Sequence, residues 1–218
     1  MALVIFDLDN TLIAGDSDYS WGEFLVNRNL VDQGHYKTTN DKFYADYEND
    51  CLDIFKYLEF SLTALVGLSQ NKLNKLHRQF MEEMIEPLKL PKAARLIEQH
   101  RLAGDRLLVI TATNRFIAEP IVKSLGIEEL LAADPEIVDG FFTGRIVGIP
   151  TYQHGKVERL NSWLQQNDET LDGSYFYSDS INDLTLLLEV ANPIAVDPDD
   201  ALRKEALRRD WEILSLRN

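Results

Sequence analysis

Short apolar runs alternate with amphipathic segments along much of the chain. The apolar runs are rich in β-forming residues and end at or next to a polar side chain, as is typical of strands covered on both faces of a parallel sheet. Helical patterns separate the later runs. The alternation predicts an α/β fold with a doubly wound parallel sheet. Strands are predicted at 2–6, 106–111, 174–179 and 192–197, and helices at 92–104, 119–127, 155–167 and 182–190.

The stretch 16–88 departs from this alternation because it shows no convincing strand pattern. Its apolar spacing favours amphipathic helices. A strand–helix–strand connection needs only about 30 residues, so most of this stretch is surplus to the connection. We therefore predict an α/β core formed by 1–15 and 89–218, with residues 16–88 inserted as a helical cap domain. The cap helices are predicted at 17–29, 34–49, 51–65 and 69–85.

A second, smaller interruption lies at 135–150, where apolar and aromatic residues alternate around Asp139 and Gly140. An Asp-Gly pair between alternating segments is a strong hairpin signal. The pattern predicts a β-hairpin beside the sheet.

The net charge of the chain limits which partners it can bind. Acidic residues outnumber basic ones by 36 to 22, which gives a formal net charge of -14. Such a surface repels nucleic acids and anionic membranes, so we expect neither as a partner. The chain has one cysteine, Cys51, for which we expect a packing role, and shows neither a secretory signal nor an apolar stretch of membrane-spanning length. These features favour the cytoplasm, and the oligomeric state stays open.

Polar residues at the predicted strand ends should meet at one edge of the sheet. Asp7 and Asp9 follow the first strand, Thr111 and Asp179 end two others, and Lys156 begins a helix. Carboxylates about 4 Å apart repel one another by about 4 kcal/mol per pair at an effective dielectric of 20, so a cation must lie among them. Hard carboxylate oxygens without neighbouring His or Cys favour Mg²⁺, which commonly bridges to a substrate phosphate.

Four sequence motifs make the pattern specific. "DLDNT" at 7–11, Thr111 in "LLVITAT", Lys156 in "HGKVERL" and "SDSINDLTLL" at 178–187 together resemble the motifs of the haloacid dehalogenase-like (HAD) hydrolase superfamily. The helical insertion resembles the C1 cap of subfamily IB, the phosphoserine phosphatase-like group, some of whose members act on histidinol phosphate. The resemblance implies a Mg²⁺-dependent phosphatase that hydrolyses a phosphate monoester of a small metabolite through an aspartyl-phosphate intermediate.

The resemblance also assigns catalytic roles. Asp7 would be the nucleophile, because a carboxylate with a reference pKa near 3.9 is ionised at neutral pH without a base. Asp9 would protonate the leaving alcohol and then deprotonate the attacking water. Thr111 would donate a hydrogen bond to the phosphoryl group, and Lys156 would offset its charge. Residues two apart along a strand point the same way, which places Asp7 and Asp9 on one face.

The metal ligands implied by the resemblance are Asp7, the backbone carbonyl of Asp9, and Asp179. Asp183 and Asn182 would orient waters around the metal.

Two further residues are candidates for substrate binding. Asp16 falls at the motif offset where related phosphoserine phosphatases place an acid that receives the substrate amine, although it could equally cap a helix. Asn114 could line the pocket or only begin a helix. An amine-bearing substrate such as histidinol phosphate or phosphoserine is therefore suggested. The "TAT" and "YSDS" segments depart from the phosphoserine-specific pattern, so specificity for phosphoserine does not follow.

Three other functions compete with the phosphatase. The first is a catalytically silent binding protein, which would be surprising with every motif intact. A phospho-accepting receiver-like signalling module also uses Asp, Thr and Lys on a doubly wound sheet, but needs neither Asp9 as acid and base nor a large cap. A haloacid dehalogenase-type hydrolase needs no metal and lacks the second acid, so Asp9 and Asp179 argue against it.

Overall fold

A single seven-stranded sheet organises the computed structural model, which describes residues 2–49 and 51–217. The strand order is β4-β3-β2-β1-β5-β6-β7. Neighbouring strands pair in parallel except β3 and β4, which are antiparallel. The strands are β1 (Leu3–Phe6), β2 (Arg106–Asn114), β3 (Glu129–Val138), β4 (Phe141–Val147), β5 (Tyr175–Ser178), β6 (Asn192–Val196) and β7 (Glu212–Leu214).

Helices cover both faces of this sheet, which confirms the predicted doubly wound α/β class. Successive residues of β1 show the period of two expected of a strand. Val4 and Phe6 belong to one buried apolar cluster, and Leu3 and Ile5 belong to the other. The helices are α1 (Ser17–Asn27), α2 (Gln33–Glu48), α3 (Ile54–Thr63), α4 (Gln70–Phe80), α5 (Pro91–Leu102), α6 (Arg115–Ser124), α7 (His154–Asn167), α8 (Leu184–Leu187) and α9 (Asp200–Arg209).

Helices α1 to α4 lie between β1 and β2 in the chain, as the pattern of 16–88 predicts. Asp16 and Asp32, among others, begin these helices by accepting a hydrogen bond from a first-turn amide. The inserted segment enters and leaves the α/β part side by side, since Ile13 forms a β-bridge with Lys89. The buried Trp21 ring of α1 lies 5.4 Å from the Phe116 ring of α6, so the insertion packs on the α/β part.

Several details differ from the sequence prediction. The Asp139-Gly140 turn forms, but its two strands belong to the sheet itself, because β3 starts at Glu129 and pairs with β2. The predicted helix at 119–127 begins earlier and is α6. The helix predicted at 182–190 is a 3₁₀ turn followed by the short α8. Elements α9 and β7 were not predicted.

Cys51 is exposed between α2 and α3, so the packing role expected of it is wrong. Within the described residues, none of the helices is both long and apolar enough to cross a membrane.

Candidate active site

A buried ion pair lies where β1 ends. The amide of Asp7 donates to the Tyr177 carbonyl at 2.9 Å, which continues the pairing of β1 with β5. Lys156, in the first turn of α7, is only 3% exposed. Its Nζ donates to Asp7 Oδ1 at 2.7 Å and to Asp183 Oδ2 at 2.8 Å. One cation therefore balances two buried carboxylates.

The electrostatics of this pair follow from its burial. Burial raises the pKa of Asp7 to about 7, and the Lys156 ammonium opposes that rise. Burial alone would lower the pKa of Lys156, but the Asp183 and Asp7 carboxylates outweigh it and raise the pKa above its ordinary value. Lys156 stays charged, and it favours the ionised form of the carboxylate it contacts.

Asp9 is held by donors from two different elements. Its Oδ1 accepts from the Ser17 amide at 2.6 Å, at the start of α1. Its Oδ2 accepts from Thr113 Oγ1 at 2.8 Å and from Thr111 Oγ1 at 3.3 Å, both in β2. Pairing of β1 with β2 brings these residues together. The Asp9 carboxylate is therefore fixed in place, and the first turn of the insertion contributes to fixing it.

The end of β5 contributes a second acidic pair. Asp179 Oδ1 accepts from Thr11 Oγ1 at 3.2 Å. Burial, followed by repulsion from Asp7 and Asp183, raises the pKa of Asp179 well above its ordinary value. Asp183 Oδ2 also accepts from Ser178 Oγ at 2.7 Å. The Asp7 and Asp183 carboxylates therefore lie near enough to Asp179 for their charge to disfavour its ionised form.

The residues present fit a magnesium ion. Among the described residues, no group of three or more His, Cys, Asp or Glu side chains is arranged to hold a metal. The expected ligand set needs only two carboxylates, on Asp7 and Asp179, with the carbonyl of Asp9. Mg²⁺ keeps several waters and is usually held by one or two carboxylates plus a substrate phosphate. A divalent cation would also relieve the repulsion that raises the pKa of Asp179.

A cleft of about 620 Å³ lies between this edge of the sheet and the inserted helices. The cleft is lined by seven of the predicted site residues, namely Asp7, Asp9, Asp16, Thr111, Lys156, Asn182 and Asp183. Aromatic side chains from α2 and α3 form the opposite wall, namely Phe43, Tyr44, Tyr47 and Tyr57. Burial and the nearby Asp179 and Asp7 carboxylates raise the pKa of Tyr47. The Tyr47 carbonyl accepts from Asn182 Nδ2 at 3.3 Å, so the insertion contacts the acidic edge directly.

Asp179 and Asn114 lie outside the lining of this cleft. Asn114 is fully buried, begins α6 by accepting from the Ile117 amide at 3.3 Å, and donates to Ser61 Oγ at 3.5 Å. Ser61 Oγ in turn donates to Asp18 Oδ1 at 2.8 Å. Asn114 therefore reaches the cleft through Ser61 and Asp18.

Two acids of α1 face the cleft. Asp16 caps the helix, and its Oδ1 accepts from the Tyr19 amide at 2.7 Å. Burial, and then repulsion from Asp9, raises the pKa of Asp16 well above its ordinary value. Asp18 is 4% exposed, and burial raises its pKa to about 7. Sequence reasoning placed Asp18 only among the helix-starting residues.

Comparison with known proteins identifies the family of the chain. The haloacid dehalogenase-like hydrolase family model matches residues 4–188, so the chain belongs to that family. A histidinol-phosphatase of Neisseria meningitidis is 45% identical over 99% of this chain and 99% of its own length. A phosphoserine phosphatase of Mycobacterium tuberculosis is 32% identical over 99% of this chain and 71% of its own length.

Solved structures show the same fold. A protein of unknown function from Bordetella pertussis Tohama I superposes with a TM-score of 0.92 at 39% identity, covering 99% of this chain and 98% of the other. A phospho-aspartyl intermediate analogue of phosphoserine phosphatase superposes with a TM-score of 0.72 at 18% identity, covering 100% and 94% of the two chains. At that identity, the second likeness concerns the fold alone.

Proposed function

We propose that this phosphatase of the haloacid dehalogenase-like family hydrolyses a phosphate monoester of a small metabolite through an aspartyl-phosphate on Asp7. The observation that carries the proposal is the buried contact of 2.7 Å between Lys156 and Asp7, beside an Asp9 carboxylate held by Ser17 and Thr113. A nucleophilic carboxylate, a cation and a second, positioned acid thus meet at one cleft. Hydrolysis of a phosphate ester through an acyl-phosphate uses each of them: the nucleophile accepts the phosphoryl group, the cation offsets its charge, and the second acid protonates the leaving alcohol and activates water.

Two carboxylates, those of Asp7 and Asp9, carry out both steps of the reaction. An Asp7 carboxylate oxygen attacks phosphorus, the bond from phosphorus to the ester oxygen breaks, and the Asp9 carboxyl gives its proton to the departing alkoxide. Asp9, now ionised, takes a proton from a water that attacks phosphorus, and the bond between phosphorus and the Asp7 oxygen breaks. Inorganic phosphate leaves, and both acids return to their starting states.

Lys156 and Thr111 supply a positive charge and a hydrogen-bond donor for an anionic substrate, which the acidic side chains around them cannot provide. Lys156 compensates negative charge at the nucleophile, and it contacts both Asp7 and Asp183. Thr111 lies inside β2 and not at its end as predicted, because the strand continues to Asn114, and the Thr111 hydroxyl donates to Asp9 Oδ2. We assign it the hydrogen bond to the phosphoryl group, and we add Thr113, which donates to the same Asp9 oxygen.

Asp7, Asp179 and the carbonyl of Asp9 would hold Mg²⁺, with Asp183 and Asn182 ordering the surrounding water. When bound, the ion supplies positive charge that lets a dianionic ester approach the acidic edge. Burial and charge repulsion at Asp179 support this assignment.

The inserted helices support a small substrate, because aromatic residues of α2 and α3 wall the cleft opposite the acids. We propose that residues 16–88 form a cap domain over a core of 1–15 and 89–218, and that the enzyme works in the cytoplasm. The names of the relatives support an amine-bearing ester, with histidinol phosphate and phosphoserine as the leading candidates.

A panel of phosphate esters tests the proposal, with released phosphate as the readout in the presence of MgCl₂. The parent enzyme should hydrolyse at least one small ester, and Asp7→Asn should fall to background. Asp139→Asn is a matched control, because Asp139 lies in the exposed hairpin turn, and it should keep parental activity. Equal activity of Asp7→Asn and the parent would refute the role of Asp7. A stable phosphoprotein without phosphate release would instead favour a receiver-like module.

A further inference from the structure

A buried carboxylate oxygen of Asp18, in the wall of the cleft, has no hydrogen-bond partner within residues 2–49 and 51–217. Asp18 Oδ1 accepts from Ser61 Oγ at 2.8 Å, whereas the buried Oδ2 finds no donor among the described residues. The Tyr57 hydroxyl and the Asn114 amide are near enough to oppose the rise in the pKa of Asp18, but neither makes a hydrogen bond of good geometry to Oδ2, and Asn114 Nδ2 donates to Ser61 Oγ instead. A buried, unpaired carboxylate oxygen is costly to a folded protein, so it points to a ligand that supplies the missing donor.

The charge of the cleft defines what that ligand can carry. Five aspartates line it, namely Asp7, Asp9, Asp16, Asp18 and Asp183. Among the described lining residues the cationic side chain is Lys156, which is already shared by Asp7 and Asp183. A positive group on the ester is therefore attracted. A carboxylate on the ester meets several like charges, and the described part of the lining offers it neither a guanidinium nor a free ammonium.

The neighbouring wall suits a cation with an apolar body. Tyr57, Tyr44 and Phe43 line the same cleft, and aromatic faces attract ammonium groups. Burial, and then the Asp18 and Asp16 carboxylates, raise the pKa of Tyr57, so its hydroxyl stays neutral and adds no negative charge to this part of the cleft.

Asp16, which caps α1, uses Oδ1 to accept from the Tyr19 amide, but its side chain is only half-buried, so water can reach its other oxygen. Asp18 is buried, and its Oδ2 has no donor among the described residues. Its Oδ1 accepts from Ser61 Oγ, which in turn accepts from Asn114 Nδ2, and these bonds fix the Asp18 side chain in place.

We infer that Asp18 is the specificity-determining residue, whose free oxygen binds a cationic amine on the leaving group, and that the cleft selects amine-bearing phosphate esters without a carboxylate. This inference rests on the proposed function. It favours a phosphorylated amino alcohol over a phosphorylated amino acid, so phosphoserine becomes the disfavoured candidate of the two named above.

Three esters test the inference because they differ by one group at a time: ethyl phosphate, O-phosphoethanolamine, which adds the amine, and O-phosphoserine, which adds a carboxylate to that amine. We expect kcat/KM for O-phosphoethanolamine to exceed that for ethyl phosphate by at least about tenfold, the gain of a charge-assisted hydrogen bond. O-phosphoserine should fall below O-phosphoethanolamine by about tenfold or more. Turnover of none of the wider ester panel would mean that the proposed function fails. Turnover without this ranking would overturn the inference alone.

The Asp18→Asn variant tests whether Asp18 itself produces the ranking of the three esters. The variant should lower the ratio of kcat/KM for O-phosphoethanolamine over ethyl phosphate by about tenfold, and raise the ratio for O-phosphoserine over O-phosphoethanolamine, because one repelling charge is gone. A general folding defect would lower all rates without moving these ratios in opposite directions. Asp16→Asn is the matched comparison, since asparagine still caps a helix. Unchanged ratios in Asp18→Asn, or ratios that move only in Asp16→Asn, would overturn the assignment. If Asp18→Asn does not fold, the parental ranking of the three esters decides.

Discussion

Replacing Lys156 with methionine removes a cation that contacts both of the buried carboxylates of Asp7 and Asp183. Each contact, at 2.7 and 2.8 Å, is worth about 6 kcal/mol of Coulomb attraction at an effective dielectric of 20. Desolvation of the three groups offsets much of that attraction in the parent protein. In the variant, the Asp7 and Asp183 carboxylates stay buried without the ammonium that offsets their charge. Removing one partner of a buried ion pair lowers the free energy of unfolding by about 3–5 kcal/mol.

Thermal unfolding of the protein without added metal measures this cost. For a chain of this length about 1 kcal/mol corresponds to about 2–4 °C, so Lys156→Met should lower Tm by about 6–20 °C. Lys123→Met is the matched control, because Lys123 is exposed and its contact with Glu119, 3.1 Å long, contributes about 0.5 kcal/mol or less. Lys156→Met should also abolish ester hydrolysis.

A double variant separates stability from activity. Adding Asp183→Asn to Lys156→Met removes one of the two uncompensated carboxylates, so part of the lost Tm should return while activity stays absent. The reasoning would be refuted if Lys156→Met matched Lys123→Met in Tm and kept parental activity.

Two more outcomes are expected. Dialysis against a chelator should abolish ester hydrolysis and MgCl₂ should restore it, because Lys156 alone does not offset the charge of Asp7, Asp179 and a phosphate dianion together. Full activity in the chelator would favour a metal-free hydrolase. Burial lowers the pKa of His77 below its ordinary 6.5. As pH falls below 6.5, His77 binds a proton in the unfolded chain but not yet in the folded chain, so the free energy of unfolding decreases. This decrease ends once the pH is below the lowered pKa of the folded state, where both states bind the proton. Urea unfolding from pH 7 to pH 5 should therefore show a shallower loss of unfolding free energy in His77→Gln than in the parent, and parallel slopes would contradict this explanation.

The strand-end argument predicted the acidic edge because it depends only on strand order and direction. Asp7, Asp9 and Thr111 meet since β1 pairs with β2, and Asp179 joins them since β1 pairs with β5. Thr113 was within reach of the same argument, because it lies two residues after Thr111 and points the same way. The strand β7 was out of reach, since a pattern of three residues is too short to separate from chance.

The cleft's opposite wall was harder to predict. Amphipathic patterns in 16–88 indicated which helices form, but not which aromatic side chains face the acids, because that depends on how α2 and α3 lie against the sheet. Tyr47 and Tyr57 were therefore indistinguishable from core residues. The same limit applies to Asp18 and Asn114, whose positions at helix starts suggested capping, while their link through Ser61 appears only in the folded chain.

The phosphorylated residue itself is the most direct test of the account. Enzyme mixed with a labelled ester it turns over and quenched in acid within one turnover should carry an acid-stable acyl-phosphate, and peptide mapping should locate the label on Asp7. Label on another residue, or rapid turnover in which the quenched protein never carries phosphate, would contradict it.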